Sequence, residues 1–395
     1  MQLGVLLMMV CAIVYAMFAK RLASTMITAP MIFLTTGYLL MVSGVMHQAH
    51  AEEILHIVAE VALIILLFVD ASRTDFAALR QQRAWPQRML LIGLPLSVLI
   101  GTLVAIPLFP EWSIFAVALV ASILAPTDAA LGQAVVSNAA VPEQERRTLT
   151  VESGLNDGLA LPVVLFFACT LATMEGEHEG NFLIFTAQQL LLGPAVGGLM
   201  GWLGAKAMLR ACELGFTEPL FEGIAAIALA VGAYVAASMV GGNGFIAAFV
   251  AGLAFGQVIK DRLKYVYEFA ESEGQILIWA AFLLLGMALL PEALQQLTLP
   301  MLALILLSLF VVRPLAIWLS LLGTDAKMIT RAFFGWFGPR GLATALFALL
   351  IVGDINHAYA EPVLAVAVNA VWISALLHGL SAAPGAAWYA KLVRR

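Results

Sequence analysis

Along this chain, runs of about twenty apolar residues alternate with short stretches that hold most of the charge. A spanning helix needs about 20 mostly apolar residues, and the pattern predicts thirteen of them, at 3–19, 26–46, 52–70, 89–109, 112–137, 149–174, 182–205, 219–239, 243–259, 274–290, 299–322, 332–352 and 360–388. The expected fold class is an all-α polytopic membrane protein. The first segment lacks the basic start and small-residue cleavage site of a secretory leader, so it reads as a retained helix. With the chain ending seven residues after Trp388, no large cytoplasmic regulatory domain is expected.

The basic residues test this count independently. Lys20 and Arg21 follow segment one; Arg73, Arg80, Arg83 and Arg88 follow three; Arg146 and Arg147 follow five; Lys206 and Arg210 follow seven. Lys260, Arg262 and Lys264 follow nine, Lys327 and Arg331 eleven, and Lys391, Arg394 and Arg395 thirteen. Eighteen of the twenty Lys and Arg therefore lie in loops of one parity. The other parity carries HQAHAEE, FPEW, MEGEHEG, PEALQQ and GDINHAYAE. By the positive-inside rule the basic loops are cytoplasmic, which puts the N-terminus outside and the C-terminus inside.

Composition supports the bilayer reading. The chain is 62% hydrophobic and 11% charged with a mean hydropathy of +0.97, whereas roughly 25% charged is usual for soluble domains. The net charge of −5 points to no partner, and no nucleic acid is expected. Cys11, Cys169 and Cys212 show no metal or disulfide spacing and read as packed thiols. No GxSxG or HExxH occurs, so serine and zinc hydrolases have no foothold.

Two basic residues, Arg313 and Arg340, lie deep in apolar segments, and so do Asp128, Glu152 and Asp157. A lone charge at mid-membrane costs about 2.5–3.5 kcal/mol even on a lenient scale, so a buried cluster is implied. Two segments also look interrupted. Pro126 breaks segment five, and Gly338, Pro339 and Gly341 break segment twelve. Either break alone would be an ordinary kink. Seven segments apart, the two run in opposite directions, as inverted repeats require, and paired broken helices point to a transport site at the midplane.

The motifs APTDAALG, ESGLNDG, the Arg-Pro at Arg313 and GWFGPRG occur in order across residues 125 to 341. Together they resemble those of the monovalent cation/proton antiporters, the sodium/proton exchanger superfamily. That resemblance implies an inverted-repeat antiporter fold of about 13 transmembrane helices in which the broken helices, segments 5 and 12, cross. It also implies a homodimer in a prokaryotic inner membrane, with a core that moves like an elevator. Carried onto this chain, it makes 1–88 scaffold helices, 89–174 core, 175–218 a linker helix, 219–298 scaffold and 299–395 core. Na⁺ or Li⁺ and H⁺ are then the cargo, K⁺ the alternative, and no resident cofactor or enzyme activity is implied.

The site follows residue by residue. Asp157 is the expected ion carboxylate: seclusion from water penalises its charged form, so it holds a hard cation or a proton, never both. Ser153, four residues earlier on the same face, is a ligand by resemblance, as is the Thr127 carbonyl freed by the break. Asn156 points away from Asp157 and suits orientation of the site; an Asn-Asp pair looks like the electroneutral branch of the family. Glu152 is paired with Arg313 by resemblance, as a brace. Asp128 at the start of the second half-helix suits capping of its free N–H groups more than ligation. Arg340 either compensates helix ends at the mirrored break or answers Asp128.

Weaker candidates are His47, His50, His56 and His178, expected as solvated loop residues. Glu60 and Asp70 bracket segment three, and Asp70 with Arg73 and Asp75 reads as an interfacial cluster. The stretch RTDFAALRQQRAWPQR reads as an interfacial amphipathic turn. An intramembrane aspartyl protease using Asp128 and Asp157 would not need the arginines or the paired breaks. A channel or a sodium-coupled solute symporter suits the pattern less well than exchange.

Overall fold

A computed structural model describes residues 2–22, 25–45, 48–74, 84–128, 131–136, 138, 140–174, 182–260 and 264–393. Its helices, in order, are α1 Gln2–Leu22, α2 Ala29–Val42, α3 Gln48–Ser72, α4 Trp85–Ala105, α5 Ile114–Ile123, α6 Gln133–Val136, α7 Glu143–Met174 and α8 Phe182–Glu213. There follow α9 Pro219–Met239, α10 Gly244–Ile259, α11 Lys264–Ala288, α12 Leu290–Gln295, α13 Leu299–Ser320, α14 Met328–Trp336, α15 Leu342–Ile351 and α16 His357–Val393. No strand occurs among the described residues.

Every predicted segment is helical. Among the described residues eight helices are long and apolar enough to cross a membrane, and five shorter apolar ones complete the set. Several run past their predicted ends, α7 beginning at Glu143 and α16 extending to Val393. Hydropathy marks only the apolar stretch, whereas the hydrogen-bond ladder continues into the polar surface. Glu143 and Glu145 in the first turn of α7 favour that extension by meeting the positive end of the helix.

The breaks fall where proline and glycine predict them. Segment five stops at Ile123 and resumes as the four-residue α6; segment twelve stops at Trp336 and resumes at Leu342. The structure also supplies a match between the halves that the sequence pattern alone did not show. Segments four and eleven each contain one wide π-helical turn, Met89–Gly93 and Ser308–Val312, and each turn is followed by a proline at the same distance, Pro95 and Pro314. Proline removes a backbone donor and crowds the carbonyl four residues back, and a wider turn eases that crowding.

Packing elsewhere relies on small residues that let backbones approach, as lipid demands. Gly193, Gly197 and Gly201 lay one face of α8 on the backbone of α10 at Asn243, Ala247 and Ala251. Gly252 and Gly256 of α10 lie on Phe68 and Ser72 of α3, and Gly37 of α2 faces Leu283 of α11. Segment seven, expected as a linker, is thus closely fitted to segment nine. By contrast α1 leaves Leu6, Ile13 and Met17 uncovered, which is ordinary for a lipid-facing helix.

Candidate functional site

The broken helices meet end to end, and each closes the other. A helix stub leaves carbonyls free at its C-terminus and N–H groups free at its N-terminus. Arg340, in the break of segment twelve, donates from one guanidinium nitrogen to the carbonyls of Ala125 (2.9 Å) and Pro126 (3.0 Å), just beyond the end of α5. Asp128, in the break of segment five, accepts the Leu342 N–H at 2.9 Å through Oδ2, at the start of α15. Its own N–H donates to the Pro339 carbonyl at 2.9 Å. Asp128 thus caps the start of the other broken helix. Gly341, the residue before α15, has no side chain to offer as a cap. For Arg340, compensation of a helix end is the arrangement found. Both signs suit the helix dipole, a carboxylate at an N-terminus and a guanidinium at a C-terminus.

The glycines of the second break are required by this closeness. A Cβ at Gly341 would overlap the Asp128 carboxylate, and one at Gly338 would overlap the Arg313 guanidinium.

Against the crossing lies α7. Glu152 takes Arg313 in a two-pronged pair, both contacts 3.0 Å, with side chains 4% and 3% exposed. Low accessibility on both sides makes this the expected brace. Thr127 Oγ1 accepts from Asn156 Nδ2 at 2.6 Å and lies 3.2 Å from Ser153 Oγ and 3.4 Å from Glu152 Oε2. Asn156 Nδ2 also reaches Glu152 Oε1 at 3.3 Å. Thr127, Glu152, Ser153, Asn156 and Arg313 therefore form one buried network, and Asn156 acts on Thr127 rather than on Asp157.

Asp157 stands outside that network. The residue is 6% exposed, and Oδ1 is buried with no hydrogen-bond partner; Asn156 Oδ1 is in the same state. The next residue, Gly158, lies against the Phe249 ring of α10, where a Cβ would overlap it. Gly154, one turn before, faces Asp70 of α3, so Asp70 lies beside this helix.

Of the histidines, His47 and His178 lie outside the described residues, as does the side chain of His50. His56 is exposed and lines a cavity of about 310 Å³ with Glu60, Tyr234 and Leu346, between α3, α9 and α15. Cys11 and Cys169 are partly buried; Cys212 is exposed rather than packed. Residues 75–83, which include Asp75 and most of the expected interfacial turn, lie outside the described residues. Sequence reasoning missed Ser374 and His378 of α16, both buried at the second break. The signal was the polar spacing 374, 378 and 381 on an otherwise apolar segment, one face of a helix.

Two interrupted helices capping one another in an inverted pair of bundles define an integral membrane protein with a transporter fold. A model of the family described as sodium/hydrogen exchanger, transmembrane, matches residues 5–388, and the chain belongs to that family. It is 25% identical over 342 residues to the K⁺/H⁺ antiporter NhaP of Alkalimonas amylolytica, covering 85% of this chain and 58% of that one. It is 29% identical over 301 residues to the K⁺/H⁺ antiporter NhaP2 of Shewanella sp. strain ANA-3, covering 74% and 51%. With the Na⁺/H⁺ antiporter NhaP of Pseudomonas aeruginosa it shares 28% identity over 240 residues, covering 57% and 54%. The chain thus spans about half the length of the curated relatives it matches. The solved sodium proton antiporter MjNhaP1 of Methanocaldococcus jannaschii superimposes with a TM-score of 0.82 at 20% identity, covering 100% of this chain and 99% of that one, a likeness of fold.

Proposed function

We propose that this protein exchanges Na⁺ or Li⁺ for H⁺ across a membrane, one for one, with both competing for Asp157. One observation carries the reading: Asp157 is a buried carboxylate with an oxygen that meets no hydrogen-bond partner, while its neighbour Glu152 is neutralised by Arg313. A hard cation seeks oxygen ligands, and the Ser153 hydroxyl and Thr127 supply others beside the same turn of α7. Ionised Asp157 with Na⁺, and protonated Asp157, are both neutral; the empty ionised site is not, so it is costly to carry through lipid. Obligatory exchange follows.

Residues 89–174 and 299–395 then form the moving core, and 1–88 with 219–298 the scaffold of a homodimer, joined by 175–218. The small-residue contacts among α2, α3, α10 and α11 support a rigid scaffold, and those of α8 with α10 hold the linker against it. Basic loops after odd-numbered segments support a cytoplasmic C-terminus in a prokaryotic inner membrane. K⁺ is the second reading, favoured by the names of two relatives.

Everted vesicles provide the test. Added Na⁺ or Li⁺ dissipates a proton gradient, K⁺ does so far less, and Asp157→Asn abolishes the response. Exchange retained in that variant would remove Asp157 from the site; a response to K⁺ alone would establish the second reading. Competition also fixes the pH dependence. Protons occupy the carboxylate as pH falls, so the apparent KM for the cation rises, approaching about tenfold per pH unit once the proton dominates.

A further inference from the structure

In an unbroken helix the Arg340 N–H would donate to the carbonyl of Trp336, four residues back. The break at Gly338–Gly341 opens that bond, and two side chains of α16 occupy the opening. Arg340 N–H donates to Ser374 Oγ at 2.7 Å. Ser374 Oγ lies 3.0 Å from His378 Nδ1, and His378 Nε2 lies 2.9 Å from the Trp336 carbonyl.

Partner chemistry fixes the direction of this series. A carbonyl only accepts, so Nε2 carries a hydrogen; the serine oxygen, having accepted from Arg340, has its own hydrogen left to give to Nδ1. A neutral imidazole therefore satisfies all three links. Nδ1 is also 3.0 Å from the Ser374 carbonyl, which already serves the ladder of α16. Trp336 O accepts the Gly338 N–H at 2.8 Å as well, using its second lone pair. The ring is fixed further by stacking on the Trp336 indole, centroids 5.0 Å apart, whose Nε1 donates to Ser381 at 3.0 Å. Ser374, His378 and Arg340 are 0%, 1% and 1% exposed, so water does not substitute.

We propose that His378 and Ser374 are positioning residues spliced into the opened hydrogen bond of the second broken helix, and that they set the span of that break. The span decides where the Arg340 guanidinium meets the Ala125 and Pro126 carbonyls, one residue before Thr127. Cation affinity at the crossing thus depends on a histidine that touches no ion. The assignment to cation affinity rests on the function proposed above; the splice itself does not.

The test uses His378→Leu, His378→Gln and Ser374→Ala in the full chain, with two readouts. Amide hydrogen exchange over residues 337–341 speeds up about tenfold or more in the leucine and alanine variants, because a buried bond becomes a local opening. Glutamine, which keeps a donor and an acceptor, restores protection. In vesicles, the leucine and alanine variants raise KM for Na⁺ about tenfold, a typical cost of losing support behind an ion site, with the maximal rate within about twofold, and glutamine recovers most of it. Unchanged protection in the His378→Leu variant, or glutamine no better than leucine, would overturn the splice. Ser374→Ala removes one oxygen and keeps the helix packed, so it gives the same comparison if the leucine variant does not insert. Faster amide exchange with unchanged KM overturns the link to affinity. A wild-type protein that moves no cation overturns the proposed function and leaves the amide readout to judge the splice.

Discussion

Glu152 and Asp157 are both buried acids on one turn-and-a-half of α7, and their surroundings give them opposite parts. Glu152 has two guanidinium contacts at 3.0 Å; a pair so buried adds little net stability, but removal of one partner strands the other charge. Arg313→Met or Glu152→Leu alone should lower stability by about 3–5 kcal/mol, whereas the double change recovers most of that, as thermal melting in detergent will show. Failure of the double variant to recover would give the pair a role beyond neutralisation. Asp157 was legible in the sequence because an ionisable group inside an oily run stands out against its background. Ser374 and His378 were not, because hydropathy scarcely registers a serine and one histidine in a 37-residue helix. Their partners at the break, the Arg340 N–H and the Trp336 carbonyl, are backbone, so the polar spacing alone does not reveal what they bond.

At the scale of elements, proline and glycine announced both interruptions, and the broken helices end within a few residues of them. Which groups close the end of α5 and the start of α15 was not readable, because those caps come from the opposite half: Asp128 and Leu342 are 214 residues apart. Ahead of α15 stands only Gly341, which has no side chain, so the cap comes from Asp128. Asp128→Ala should therefore destabilise the protein by about 1 kcal/mol or more, the usual cost of a lost N-cap. Asp128→Asn, which keeps an accepting oxygen, should lose less than alanine does on the same melting measurement. Equal losses would mean that the charge, rather than the hydrogen bond, closes α15. The paired π turns at Met89–Gly93 and Ser308–Val312 show the same logic: the prolines were visible, but not the widening they cause.

Across the whole molecule the arithmetic of the proposed exchange is neutral on both strokes. A net charge carried over the full membrane would feel about 2.3 kcal/mol per 100 mV. Proteoliposomes clamped at zero and at about 100 mV should then exchange at the same rate, and Asn156→Asp, which adds a carboxylate, should introduce voltage dependence. A clear voltage effect in the natural protein would overturn the one-for-one count without displacing Asp157. The reciprocal capping of the crossing also has a consequence for biosynthesis. The carbonyl of Ala125 is laid into lipid long before the arginine that quenches it, 215 residues later, has left the ribosome. The nascent first half therefore waits with an unfinished end, sheltered by the insertion machinery or by water, and the two halves mature together or not at all.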